Sequence, residues 1–176
     1  MRRLFVSALT LALALPAVAR AQDKPLRDGF WFNIGLGGGS LGCDGCDSRL
    51  NGVSGQLSLG GTINQHVLLG VSSNAWTKSE DGATLTMSSL TAAIRYYPSA
   101  TGHFYLTAGL GVAGLSAGIT GVGSGSASGT AALLGLGYDI RLTDAVSLTP
   151  YWNGVGGAFD GGNFNFGQIG LSLTWP

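Results

Sequence analysis

The sequence predicts an all-β protein, an eight-stranded antiparallel up-and-down transmembrane β-barrel. Three observations predict it. Apolar and small polar residues alternate with period 2 through nearly everything after residue 28. The connections between the alternating runs are short and long by turns. The polar faces of those runs hold almost no charge. Of 176 residues, 31 are glycine, only 10% are charged and 45% are hydrophobic. Glycine is thus more than twice its ordinary usage of about 7%, and charge falls far below the ~25% of a soluble domain. That balance excludes a disordered chain, which needs high charge and low hydrophobicity. Two cysteines are too few for a disulfide scaffold. Zero net charge without a basic cluster argues against nucleic acid as a partner.

Residues 1–21 read as a secretory signal peptide. Arg2 and Arg3 open it, Leu4 to Leu15 supply the apolar stretch, and Ala17-Val18-Ala19 or Ala19-Arg20-Ala21 supplies small residues for cleavage. The apolar stretch is too short to span a bilayer as a helix, and Pro16 breaks it. Residues 22–28 form a short N-terminal periplasmic segment, and 29–176 form the barrel.

The first strand, 30–42, sets Phe30, Phe32, Ile34 and Leu36 against Trp31, Asn33, Gly35 and Gly37. The second, 53–63, sets Val53, Leu57, Leu59 and Ile63 against Ser54, Gln56, Ser58 and Thr62. The third, 67–77, opposes Val67, Leu69 and Val71 to Gly70, Ser72 and Asn74. In the fourth, 84–97, Leu90, Ala92, Ile94 and Tyr96 oppose Thr91, Ala93, Arg95 and Tyr97. The fifth, 103–115, and the sixth, 129–142, carry Phe104 to Val112 and Leu134 to Ile140 on one face, with glycines on the other. Val146, Leu148, Pro150 and Trp152 mark the seventh, and Ile169, Leu171, Leu173 and Trp175 the eighth. Pro150 removes one ladder hydrogen bond, so a bulge or a place near the strand end is expected there. Leu85 and Met87, and likewise Phe164 and Phe166, are out of phase with their strands. A bulge near Ser88-Ser89 and another near Gly167 would restore the phase; alternatively these ends rise above the membrane.

The short connections are 64–66, 98–102 and 143–145; the long ones are 43–52, 78–83, 116–128 and 154–163. A membrane barrel has this arrangement, with tight periplasmic turns and longer external loops. The polar face decides between lipid and water outside. A soluble surface is about 25–35% charged, whereas these strand cores hold only Arg95, Asp139 and Arg141. Small uncharged side chains suit the narrow inside of an eight-stranded barrel, which leaves the large apolar ones for lipid. Phe30, Tyr96, Phe104, Trp152 and Trp175 fit interfacial girdles.

The run Gly137-Tyr138-Asp139-Ile140-Arg141-Leu142-Thr143-Asp144, leading into Val146-Ser147-Leu148, and the end Gln168-x-Gly170-x-x-Leu173-x-Trp175 carry a family resemblance. Over 29–175 the chain resembles the small eight-stranded outer-membrane barrels of the OmpA/OmpX-like group. The resemblance implies an outer-membrane location with membrane lipid as a partner. It also implies an assembly signal at Gln168, Gly170, Leu173 and Trp175 that is read by the barrel-assembly machinery. It implies no single activity, since such barrels serve as anchors, adhesins, channels and enzymes.

Among candidate sites, Cys43-Asp44-Gly45-Cys46 lies in the first long loop. In an exported protein, with no second pair for zinc, a local disulfide is expected. Arg95, Asp139 and Arg141 all lie close to short turns, and charge inside a narrow lumen must be paired. Asp139 between the two arginines would then form a polar plug, joined by Gln56 or Gln168; the alternative is a gate for a small pore. The acids Asp44, Asp47, Glu80, Asp81 and Asp160 read as solvated loop residues, lacking calcium-loop spacing. His66 and His103 both fall at periplasmic turns, so no outer-rim Ser–His pair exists for a lipid hydrolase. The glycine-rich stretch Gly118–Gly129 lacks the Lys-Ser/Thr of a phosphate loop and reads as a flexible loop. No cofactor motif is present. The expected role is structural or surface-interactive, not enzymatic. A narrow pore is the first alternative and a secreted soluble ligand-binding barrel the second.

Overall fold

The computed structural model describes residues 27–119 and 121–175; the signal-peptide reading of 1–21 lies outside them. The strands are β1 (Phe30–Cys43), β2 (Leu50–Asn64), β3 (Val67–Glu80), β4 (Ala83–Tyr96), β5 (Phe104–Ile119), β6 (Gly123–Tyr138), β7 (Ile140–Arg141), β8 (Ser147–Phe159) and β9 (Gly162–Trp175). Each pairs antiparallel with its sequence neighbour around the ring, and β1 pairs with β9 from Phe32↔Trp175 to Cys43↔Phe164, which closes it. The strands β6 and β7 are one stave interrupted at Asp139, and both pair with β8 in the same register. The ring therefore has eight staves. Pro150, fourth in β8, lies level with that interruption, where its missing N–H leaves no ladder bond to make. Register is kept on either side, so no bulge forms there.

Alternation sorts the faces. Leu36, Leu110 and Ile169 are 73%, 72% and 69% exposed on the outside, while Asn33, Asn74, Thr91 and Thr149 point inward and are fully buried. Every outward strand position from Phe30 up to the extracellular end is apolar, small or uncharged. A closed sheet satisfies its own backbone, and an uncharged outer face is what hydrocarbon requires. The belt starts at a ring of aromatics at the turn end: Phe32 against Trp175 (centroids 5.6 Å apart), Tyr96, Phe104 and Tyr138. His66 stacks on Tyr96 and His103 tilts against Tyr138 at the same level. Trp152 is different from the girdle position expected for it. It is paired with Leu136 and Ile169, inside the belt.

Neither expected bulge exists. The β3–β4 ladder runs unbroken from Val67↔Tyr96 to Glu80↔Ala83, and Gly167 pairs in register with both Gly154 and Ser40. Leu85, Met87, Phe164 and Phe166 keep the inward parity of Arg95 and Gln168. The apolar residues cross from the outer to the inner face because the lumen itself turns apolar there. The one register shift recorded in these ladders is at Thr62/Asn64, beside a turn where Asn64 Oδ1 accepts from the backbone N–H of His66 and Val67.

Three of the four long connections are not loops. Strands β3 and β4 meet at Asp81-Gly82, and β8 and β9 at Asp160-Gly161. The stretch read as a flexible loop, Gly118–Gly129, is mostly strand, with β5 and β6 paired out to Ile119↔Gly123. At the extracellular end β2–β3 pairing stops at Val53↔Thr77 and β6–β8 pairing at Thr130↔Ala158. The ends of β3, β4, β5 and β6 therefore stand above the ring as a four-stranded flap.

Candidate functional site

The lumen is filled in three layers, and it is the place where chemistry could act or a solute pass. At the periplasmic end Arg27, just ahead of β1, folds back beneath the barrel. Its Nη1 donates to Gln65 O and Ala100 O, both at 3.1 Å, and its Nη2 donates to Gly102 O. These carbonyls belong to the β2–β3 and β4–β5 turns. Gln65 Nε2 answers with a bond to Arg27 O at 2.9 Å. The guanidinium also lies over Tyr97, 3.3 Å from the ring centroid.

Above it, Asp139 accepts from Tyr97 OH and from Thr149 Oγ1, both at 2.7 Å. Arg95 is buried with its guanidinium between Tyr105, 4.1 Å from the centroid, and Trp31, 4.5 Å away. Ring faces attract a cation, and more strongly where water is excluded. Gly137 gives Tyr105 its room, since a Cβ there would overlap the phenol ring. Arg141 is exposed at the lumen mouth. The structure thus brings Arg95 and Asp139 into one layer but sets Arg141 apart. Among the described residues no ion pair joins the three; the contacts of Asp139 are hydroxyls and those of Arg95 are aromatic faces. The aromatic partners Trp31, Tyr97 and Tyr105 were missed in the sequence because they look like ordinary members of the alternation. Their inward parity was the available signal.

The middle layer is an amide network. Asn153 Nδ2 donates to Gln56 Oε1 (2.6 Å) and Asn74 Oδ1 (3.1 Å), and Gln168 Nε2 donates to the same Asn74 oxygen (2.7 Å). Gln56 Nε2 reaches Asn33 Oδ1 (2.9 Å), and Asn33 Nδ2 reaches Ser172 and Thr174. Five staves are cross-linked through the barrel axis. Gln56 and Gln168 belong to this layer and make no bond to Asp139. Of the four residues expected to carry an assembly signal, Gln168 and Gly170 face the lumen, while Leu173 and Trp175 face out.

The extracellular layer is apolar. Leu41, Trp76, Met87, Leu133, Val155 and Phe166 form one buried cluster, each 4% exposed or less. Trp76 Nε1 donates to Gly39 O at 3.1 Å, so its one polar atom is satisfied. Sequence reading expected small uncharged groups inside, besides the charges Arg95, Asp139 and Arg141; the large apolar side chains fit because glycines face them. Trp76 lies against Gly39 and Gly52, and Met87 against Gly157.

At the outer rim Cys43 and Cys46 stand as a disulfide pair with Cα atoms 5.4 Å apart. Asp44 Oδ2 accepts from Asn163 Nδ2 (2.8 Å), and Asp44 N donates to Asn163 O (3.0 Å). Arg49 donates to Ser40 Oγ at 3.0 Å and to Asn165 Oδ1 at 2.8 Å. The first loop is therefore tied to β9 across the closing seam. Lys78 Nζ lies 2.6 Å from Glu80, and that hydrogen bond, with the attraction of the charge, holds the Glu80 carboxyl below its ordinary range. Among the described residues, no three His, Cys, Asp or Glu side chains gather to hold a metal ion.

No protein-family model matches the chain, and no curated protein sequence does either. Solved structures do. The chain superposes on Ail, the attachment invasion locus protein of Yersinia pestis, with a TM-score of 0.61 at 14% identity, covering 84% of this chain and 99% of Ail. This is the fold of the small outer-membrane β-barrels. Neisserial surface protein A gives 0.62 at 17% identity over 84% of this chain and 96% of its own. The N-terminal β-barrel domain of Pseudomonas aeruginosa OprF gives 0.51 at 16% over 85% and 99%. A small outer-membrane barrel fold agrees with the belt and girdle.

Proposed function

We propose that the protein is an integral bacterial outer-membrane barrel with a structural and surface-interaction role: membrane integrity, adhesion or binding through the extracellular rim. It is delivered by the signal peptide 1–21, keeps 22–28 in the periplasm and is inserted by the barrel-assembly machinery reading Gln168, Gly170, Leu173 and Trp175. The observation that carries this reading is the lumen, filled at every level by Arg27 and Tyr97, then the amide network, then the Trp76–Phe166 cluster. A filled lumen makes the barrel a scaffold for its rim. A pore would need a continuous wet path, and a ligand-holding soluble barrel would need an open apolar cavity. No catalytic role is assigned: both histidines lie at the periplasmic end, away from the rim acids.

One structural neighbour, Ail, is known in complex with the heparin analogue sucrose octasulfate. The rim here carries Asp44, Asp47, Glu80, Asp81 and Asp160 against Arg49 and Lys78, a balance that disfavours a polyanion. The test is membrane integration. The mature protein should need detergent, float with liposomes after alkaline washing, and change gel mobility on boiling. A protein that stays monomeric in buffer and runs identically before and after boiling is not this barrel.

A further inference from the structure

The buried charges of the lumen do not balance. Among the described residues three charged side chains are buried, the cations Arg27 and Arg95 against the single anion Asp139. The interior therefore carries one positive charge in excess. Arg27 is surrounded by turn carbonyls and the ring of Tyr97. Asp139 has its two oxygens on Tyr97 and Thr149, and among the described residues it joins no ion pair. Arg95 is left with the faces of Trp31 and Tyr105. A ring face attracts a cation but brings no charge to cancel it, and an uncancelled buried charge is costly. The same region holds donors without acceptors. Arg95 Nε and Nη1, Trp31 Nε1 and Tyr151 OH are buried and have no hydrogen-bond partner among the described residues. All three side chains are 5% exposed or less. A guanidinium and an indole N–H can only donate.

These donors are neighbours. The guanidinium of Arg95 lies 4.5 Å from the ring of Trp31 and 4.1 Å from that of Tyr105. Tyr151 is paired with Gly137, the glycine against which the phenol of Tyr105 lies. Trp31 also borders a hollow of about 30 Å³ at the periplasmic mouth, together with Arg27, Tyr97 and Asp139. That is room for about one water-sized particle. We propose that Arg95 and Trp31 hold a single small monovalent anion, chloride, inside the lumen, with the Tyr151 hydroxyl as a further donor and the hollow as its approach from the periplasm. A water molecule would accept from the same N–H groups but leave the excess charge in place; a halide meets both needs. A cation is repelled by the two arginines, and sulfate or phosphate is too large for the hollow. The site is independent of what the extracellular rim binds, and it makes chloride a component of the lumen plug.

The test uses the folded protein in detergent, with sodium gluconate replaced stepwise by sodium chloride at constant ionic strength. Urea unfolding is followed by gel mobility. The unfolding equilibrium constant should fall by about tenfold and then level off, the shift given by an anion at about ten times its Kd. Bromide should act as chloride does, and crystals of the wild type grown in bromide should show its anomalous scattering beside Arg95 and Trp31. Arg95→Met should lose the chloride dependence, whereas Arg49→Ala, which removes a positive charge at the opposite end of the barrel, should keep it. If Arg95→Met does not fold, the salt series and the bromide position in the wild type decide the matter. Equal stability in the two salts, a dependence that never levels off, a dependence that survives in folded Arg95→Met, or bromide found only elsewhere would each overturn the proposal.

Discussion

The guanidinium of Arg27 lies on the ring of Tyr97, 3.3 Å from its centroid, and the hydroxyl of the same tyrosine donates to Asp139 at 2.7 Å. One side chain thereby links the segment before the first strand to the interruption between β6 and β7. The periplasmic mouth is closed by a residue outside the barrel wall. Arg27→Ala should lower unfolding stability in detergent by about 1–3 kcal/mol, the cost of leaving part-buried carbonyls without their charged donor. Urea titration followed by gel mobility reads this. An unchanged midpoint would mean the latch does not form in solution.

The Asp139 carboxylate satisfies two hydroxyls and faces the buried charge of Arg95. Asp139→Ala should cost about 1–3 kcal/mol, the scale for leaving buried hydroxyls without their charged acceptor. Arg141→Ala, at an exposed site, should stay within about 0.5 kcal/mol. Equal losses at the two positions would restore the three-charge plug that the sequence suggested.

Trp76 and Phe166 sit at the centre of the apolar layer. Phe166→Ala should destabilise the barrel by about 3–5 kcal/mol, measured as the shift in thermal unfolding of detergent-solubilised protein. A mild effect would point to a lumen that is wet at this level.

Gly60 and Gly70 face each other across β2 and β3, and a Cβ on Gly60 would collide with Leu69 O. Gly60→Val should abolish refolding into detergent, seen as loss of the heat-shifted band. Gly61→Val, where a Cβ meets open space, should refold. If both refold, the ladder has slack that the close approach does not suggest.

Much of the fold was legible because period 2 survives any packing detail: Phe30, Ile34 and Leu36 face out and Asn33 faces in because the pleat dictates it. The extracellular ends were less legible. Leu85, Met87, Phe164 and Phe166 broke the rule that apolar means outward, and a bulge was the cheapest local repair. The true cause was non-local, because Trp76 and Met87 find space only beside glycines of other staves. Gly118–Gly129 misled for a related reason. Glycine and serine lower strand propensity, but the register already set between β5 and β6 carries the pairing up to Gly123. For the site, the charges Arg95 and Asp139 stood out by their rarity. Their real partners, Tyr97, Thr149 and Tyr105, carry no such mark. Arg27 lay before the first strand, where alternation says nothing.

The most direct measurement is conductance of the purified, refolded protein in a planar bilayer. A lumen closed by Arg27, the amide network and the Trp76 cluster should give no steady single-channel current across the voltage range the bilayer tolerates, with insertion confirmed by the heat-dependent gel shift. A reproducible, long-lived channel from the wild-type protein would contradict the sealed lumen and establish a pore instead.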